Sequence, residues 1–120
     1  MQFLRIGTGG LRGKIGFGLN PLIAIDFISA FATYTDGGRI IIGRDSRFSS
    51  PMLYHAGISA LLSCGAEVFD AGICPAPLLQ FLVPKMEASG GILIGAGHHP
   101  SEWNAIVAVG DDGAYLNSVR

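Results

Sequence analysis

RIIIGRDSRFSSP, residues 39–51, sets a strand signal against a helix signal with a polar loop between them. Three successive isoleucines, 40 to 42, ending at Gly43 read as a strand buried on both faces, since a strand with one wet face would alternate apolar and polar residues. Ser50 followed by Pro51 reads as an N-cap with proline at the first helical position. Leu53, Ala56, Gly57, Ala60, Leu61 and Cys64 then recur at helical spacing, and Gly65 is a C-terminal stop. Similar strand signals occur in AEVFDAG (66–72), GGILIGA (90–96) and AIVAVG (105–110). Asn20 and Pro21 open a helix over 21–35, and Pro77 opens a third, PLLQFLV. Strands alternating with helices of this length predict an α/β fold with a largely parallel sheet. DDG within VGDDGAYL (109–116) is a hairpin signal, so the last strand is expected to return antiparallel.

The chain has 120 residues, enough for one core without disulfides or a structural metal. Charged residues are 14% and apolar residues 49%, against a usual charged share of roughly a quarter. With a mean hydropathy of +0.45, that balance points to surface hidden against something else. The chain ends soon after the DDG turn, which reads as a piece of a longer protein. A net charge of −1 gives no support for a nucleic-acid partner. No apolar run approaches the ~18 residues of a membrane span, and the N-terminus lacks the apolar core of a secretory signal. Cys64 and Cys74 lack metal-site spacing and read as buried free thiols in a cytoplasmic protein.

In an open α/β sheet, ligands collect outside the carboxyl ends of the strands. GTGGLRGK (7–14) fails both nucleotide fingerprints: position 12 is Arg where a dinucleotide loop needs glycine, and Thr8 and Ile15 break the P-loop pattern. What remains is exposed backbone N–H groups, the Thr8 hydroxyl, Gly9 and the Arg12 guanidinium, a set that suits phosphate or a plain surface turn. In GRDSR, Asp45 can orient one of Arg44 and Arg47 while the other stays free for an anion. Arg12, Lys14, Arg44 and Arg47 are half of the eight basic residues and fall in two loops that could face one cleft. His98 and His99 are adjacent and point apart, so a shared metal is disfavoured; His99 with Glu102 lacks a third ligand. His98 fits better as a phosphate ligand or general acid. Trp103 reads as a packing anchor.

Four segments in order, GTGGLRG (7–13), GRDSRFSSP (43–51), GICPAPL (72–78) and GHHPSEWNA (97–105), resemble the first domain of the α-D-phosphohexomutases. The resemblance implies a three-layer α/β/α sandwich with a mixed, mostly parallel sheet, spanning residues 1–120 as domain I of a four-domain protein. The family moves a phosphoryl group between C1 and C6 of a hexose phosphate, using a phosphoserine on this domain. Mg²⁺ is implied for the full-length family, with ligands mostly outside this chain. The implied partners are a hexose phosphate and the remaining domains, with no nucleic acid or membrane.

The usual Thr-Ala-Ser-His-Asn-Pro, then Asn-Gly-x-Lys, reads here Gly95-Ala96-Gly97-His98-His99-Pro100, then Asn104-Ala105-Ile106-Val107. The phosphorylated serine is Gly97 and the lysine that assists proton transfer is Val107. Glycine carries no nucleophile and valine no proton. The catalytic positions implied are thus Gly97 and His98. The phosphate-binding set is Thr8, Gly9, Arg12, Arg44, Arg47, His99 and Asn104. Open readings are a degenerate phosphosugar binder, a histidine phosphate carrier, an enzyme that uses the sugar bisphosphate with no stored phosphate, and an interaction module.

Overall fold

Ile40, Ile41 and Ile42 are all inaccessible to solvent, because helices cover both faces of the strand that carries them. The computed structural model describes residues 4–7, 10–95 and 102–116. Its elements run β1 (Leu4–Gly7), β2 (Gly10–Lys14), α1 (Pro21–Tyr34), β3 (Arg39–Arg44), α2 (Ser50–Ser63), β4 (Glu67–Ile73), α3 (Ala76–Lys85), β5 (Gly90–Ile94) and β6 (Trp103–Val109). They form one sheet of order β1-β2-β6-β5-β3-β4. Ile40 and Ile42 pack with Ile28, Phe31, Leu53 and Leu61 of α1 and α2. Ile41 faces the other way, with Leu79 and Val83 of α3. That gives three layers, α/β/α.

β3 pairs in parallel with β4 and β5, whereas β5–β6, β2–β6 and β1–β2 are antiparallel. The sheet is mixed: β2 to β5 share one direction, and β1 and β6 oppose it. The carboxyl ends of β2, β3, β4 and β5 therefore lie along one edge, together with the start of β6. The DDG turn forms, with Gly113 at φ 85° and Gly110 N donating to Ala114 O at 2.9 Å. Its antiparallel return amounts to a single bridge, Val109 to Tyr115; the antiparallel strands are β6 and β1.

The first glycine segment is not a loop over 10–14. β2 is laddered to β1 on one side and β6 on the other, so its backbone N–H groups serve the sheet rather than an anion. Gly10 is glycine because a Cβ there would sit 2.3 Å from Ile106 O. Ser50 is also not the cap of α2: Ser49 is, without a side-chain cap bond, and Ser50 is the first helical residue. Asn20 does cap α1, its Oδ1 accepting from Ile23 N at 2.9 Å.

Only one of the two free thiols is buried: Cys74 is 3% exposed, whereas Cys64 lies exposed at the end of α2. Burial pushes the Cys74 thiol up from its ordinary pKa, which lowers its thiolate fraction further. An aromatic disulfide reagent at neutral pH is therefore expected to titrate one thiol in the native chain and the second only in denaturant. Fast native reaction in a Cys64→Ser variant would contradict this. The apolar excess is partly on the surface: Phe48 is 99% exposed, Leu22 73% and Phe17 70%. No helix among the described residues is long and apolar enough to cross a membrane.

Candidate functional site

The loop that follows β5 carries Gly97, His98 and His99, which lie outside the described residues, as do Thr8 and Gly9. Its two stems, Gly95 and Glu102 to Asn104, are described, and the structure shows what holds them. Asp45 N donates to Ile94 O at 2.9 Å, and Gly95 N to Ala105 O at 2.9 Å. Ile15 N donates to Glu102 O at 2.8 Å, joining the second stem to the end of β2. Both stems thus stand at the carboxyl edge of the sheet.

A side-chain network crosses beneath them. The Asp45 carboxylate accepts from Ser50 Oγ and from Arg47 N at 3.1 Å. Ser50 Oγ in turn accepts from Asn104 Nδ2 at 3.0 Å, and Ser49 Oγ accepts from the same amide nitrogen at 2.8 Å. Asn104 Oδ1 takes the Ala105 N–H at 2.8 Å. Asn104 is wholly buried, and this uses both its amide hydrogens. Asn104 thus ties β6 to the start of α2, with both amide hydrogens directed to the two serine oxygens.

Asp45 orients one arginine. Arg47 Nε donates to Asp45 Oδ2 at 3.4 Å, and its Nη1 reaches Trp103 O at 3.5 Å, so Arg47 clamps the second stem. Arg44, at the end of β3, is the other. Its Nη1 donates to Asp45 O at 3.2 Å, and its guanidinium lies 5.6 Å from the centre of the Tyr54 ring. Burial, and then the hydrogen bond to Asp70, push the Tyr54 phenol well above its ordinary pKa, so it stays a neutral donor.

The four basic residues do not share one face. Leu11 packs under α1 and α2, so its neighbours Arg12 and Lys14 fall on the opposite face of β2. Arg44 contacts Tyr54 of α2 and is on the α1–α2 side. β2 and β3 are also three strands apart, roughly 14 Å. Lys14 sits over the Phe17 ring at 5.2 Å and pairs across β6 with Trp103, close to the stem that Arg47 holds. Arg12 is exposed farther back along β2. Val107 is half-buried in mid-β6, between Gly10 and Leu93. The sequence reading missed Ser49, Ser50, Tyr54 and Asp70. The doubled serine before Pro51 was the available signal for the first two; a buried tyrosine in an apolar helix gave none for the third.

Among the described residues no group of three His, Cys, Asp or Glu side chains could hold a metal ion. Of the carboxylates at the edge, Asp45 is engaged by Ser50 and Arg47, and Glu102 lies exposed on the second stem. The residues described do not fit a magnesium site.

The fold and edge define a family. Residues 4–119 match the model of the phosphoglucomutase/phosphomannomutase alpha/beta/alpha domain I, and the chain belongs to that family as its first domain. A phosphoglucosamine mutase of Gloeothece citriformis is 48% identical over 105 residues, covering 83% of this chain and 22% of the relative. A "probable phosphoglucosamine mutase" of Pyrococcus abyssi is 43% identical over 100 residues, with the same coverage of each. A crystal structure of a "putative phosphomannomutase" from Thermus thermophilus superposes with a TM-score of 0.87 at 27% identity, over 97% of this chain and 28% of that one. The chain thus spans 22% to 28% of the length of these relatives.

Proposed function

We propose that this chain is the first domain of a longer cytoplasmic phosphohexomutase-family protein, one that binds a hexose phosphate without the serine phosphoryl relay. The observation that carries this reading is a retained frame with absent reactive groups. Asp45, Ser50 and Asn104 brace the stems of the loop, yet the loop carries Gly97 in place of the nucleophile, and mid-β6 carries Val107 in place of the lysine. A retained frame keeps loop geometry for recognition; phosphoryl transfer through this loop needs an atom that glycine does not have. Recognition rests on Arg44 as the guanidinium donor to phosphate, with His98, His99, Thr8 and Gly9 contributing from the loops, while Arg12, on the opposite face of β2, stands apart from it. Any magnesium chemistry and the choice of sugar belong to the rest of the longer protein.

The test uses the full-length parent and radiolabelled glucose 1,6-bisphosphate. The expected result is no protein-bound label and no turnover, with hexose phosphate still raising the unfolding temperature. Acid-stable label on residues 95–105 would overturn the reading. So would acid-labile label lost in His98→Ala or His99→Ala, which identifies a histidine carrier. Turnover without label, dependent on added bisphosphate, would also overturn it.

A further inference from the structure

Arg44 is half-buried, and Asp45 O is the acceptor it reaches among the described residues. A guanidinium has five N–H donors, so most of its fork remains available at the edge of the sheet. What fixes its direction is the Tyr54 ring beneath it. The ring is itself fixed from below. Its hydroxyl donates to the Asp70 carboxylate and accepts from Gly72 N at 3.0 Å. Gly72 N also donates to Asp70 Oδ1 at 2.9 Å. Gly72 has φ 67° and follows a register shift between β3 and β4, at Ile42/Gly43, which turns its N–H away from the ladder.

We propose that Tyr54 is a positioning residue for anion recognition: its ring is the bed that aims Arg44 at a phosphate, and the bulge at Asp70–Gly72 holds the bed in place. This rests on the reading of Arg44 as a phosphate ligand. An unsupported arginine side chain loses rotamer freedom when a ligand immobilises it. A guanidinium already lying on a ring has lost much of that beforehand. A phenol that donates to a carboxylate also presents a more electron-rich ring face, which favours the cation above it.

Inorganic phosphate is titrated into the intact protein and followed by NMR, with thermal unfolding as the check on folding. Arg44→Gln is expected to weaken phosphate binding. Tyr54→Leu is expected to weaken it about fivefold, the ratio equivalent to the ~1 kcal/mol of a modest cation–π contact. Tyr54→Phe, which keeps the ring, is expected to restore affinity to within about twofold of the parent. Equal losses in Tyr54→Leu and Tyr54→Phe would overturn the proposal, because the hydroxyl and not the ring would then matter. Unchanged binding in a folded Tyr54→Leu, with loss in Arg44→Gln, would overturn it while leaving Arg44 a ligand. Unchanged binding in Arg44→Gln would remove the reading of Arg44 itself. Should Tyr54→Leu not fold, the unaltered protein still decides. The Arg44 side-chain resonances, assigned by their loss in Arg44→Gln, are expected upfield from ring current; ordinary shifts would overturn the proposal.

Discussion

In the full-length parent, Gly97→Ser combined with Val107→Lys is expected to turn over hexose phosphate at least ~10²-fold faster than Gly97→Ser alone. The serine restores an oxygen that can carry phosphate. It does not restore the group that moves the proton, and a positioned acid–base group is worth roughly 10² to 10⁴ in rate. The backbone at 107 tolerates the change. Val107 is half-buried on the face of β6 away from α1 and α2, opposite Gly10, which has no side chain to compete for space. A lysine there can lay its stem along the sheet and keep the ammonium in water. Exchanging a β-branched residue for lysine in a strand costs about 1 kcal/mol or less, so the folded frame should survive.

A third departure limits how far the repair can go. The family's usual threonine is Gly95, and a Cβ at Gly95 would meet Asp45 Oδ2 at 2.9 Å. Asp45 has closed onto the space a side chain would occupy, while holding Ser50 and Arg47. Gly95→Thr added to the other two changes is therefore expected to lower the unfolding temperature. Activity of Gly97→Ser alone equal to that of the double variant would show that Val107 is not the deficit.

The central strands were legible because burial leaves a mark on composition. Ile40 to Ile42 and GGILI could belong only to strands covered on both sides, and α3 on one face with α1 and α2 on the other supplies the cover. β2 was not legible. GLRGK has two glycines and two bases in five residues, which is the composition of a loop. Its state is decided by tertiary pairing with β1 and β6, about a hundred residues away along the chain in the second case. Local propensity carries no information about that partner. The same holds for the site. Arg44 and Arg47 look equivalent in GRDSR, and their split into an available fork and a structural clamp depends on Trp103 and Tyr54. Asn104 matches the family pattern, but its place as a brace depends on Ser49 and Ser50, 55 and 54 positions away along the chain.

That brace yields the largest stability effect expected here. Asn104→Ala removes two hydrogen bonds to serine oxygens, one buried and one part-buried, and a buried one from Ala105 N. The Ala105 N–H is left without its acceptor; an unsatisfied buried group costs about 1–3 kcal/mol, and the lost side-chain volume adds to it. A total of ~3 kcal/mol corresponds to a fall in unfolding temperature of roughly 10 °C for a chain of this size. The network makes a sharper claim than the single variant. Ser50 donates to Asp45 and accepts from Asn104, so it is the link in a chain of hydrogen bonds. Once Asn104 is alanine, Ser50 has lost its donor, and Ser50→Ala should cost less than it does in the parent. A double-mutant cycle on Asn104→Ala and Ser50→Ala is expected to show coupling of 0.5 kcal/mol or more, about the threshold at which contacting residues depart from additivity. Strict additivity would mean that Asp45, Ser50 and Asn104 are neighbours and not a network. The two stems of the loop would then be held by their backbone bonds and the Arg47 clamp, and the frame retained around Gly97 would lose its main side-chain support.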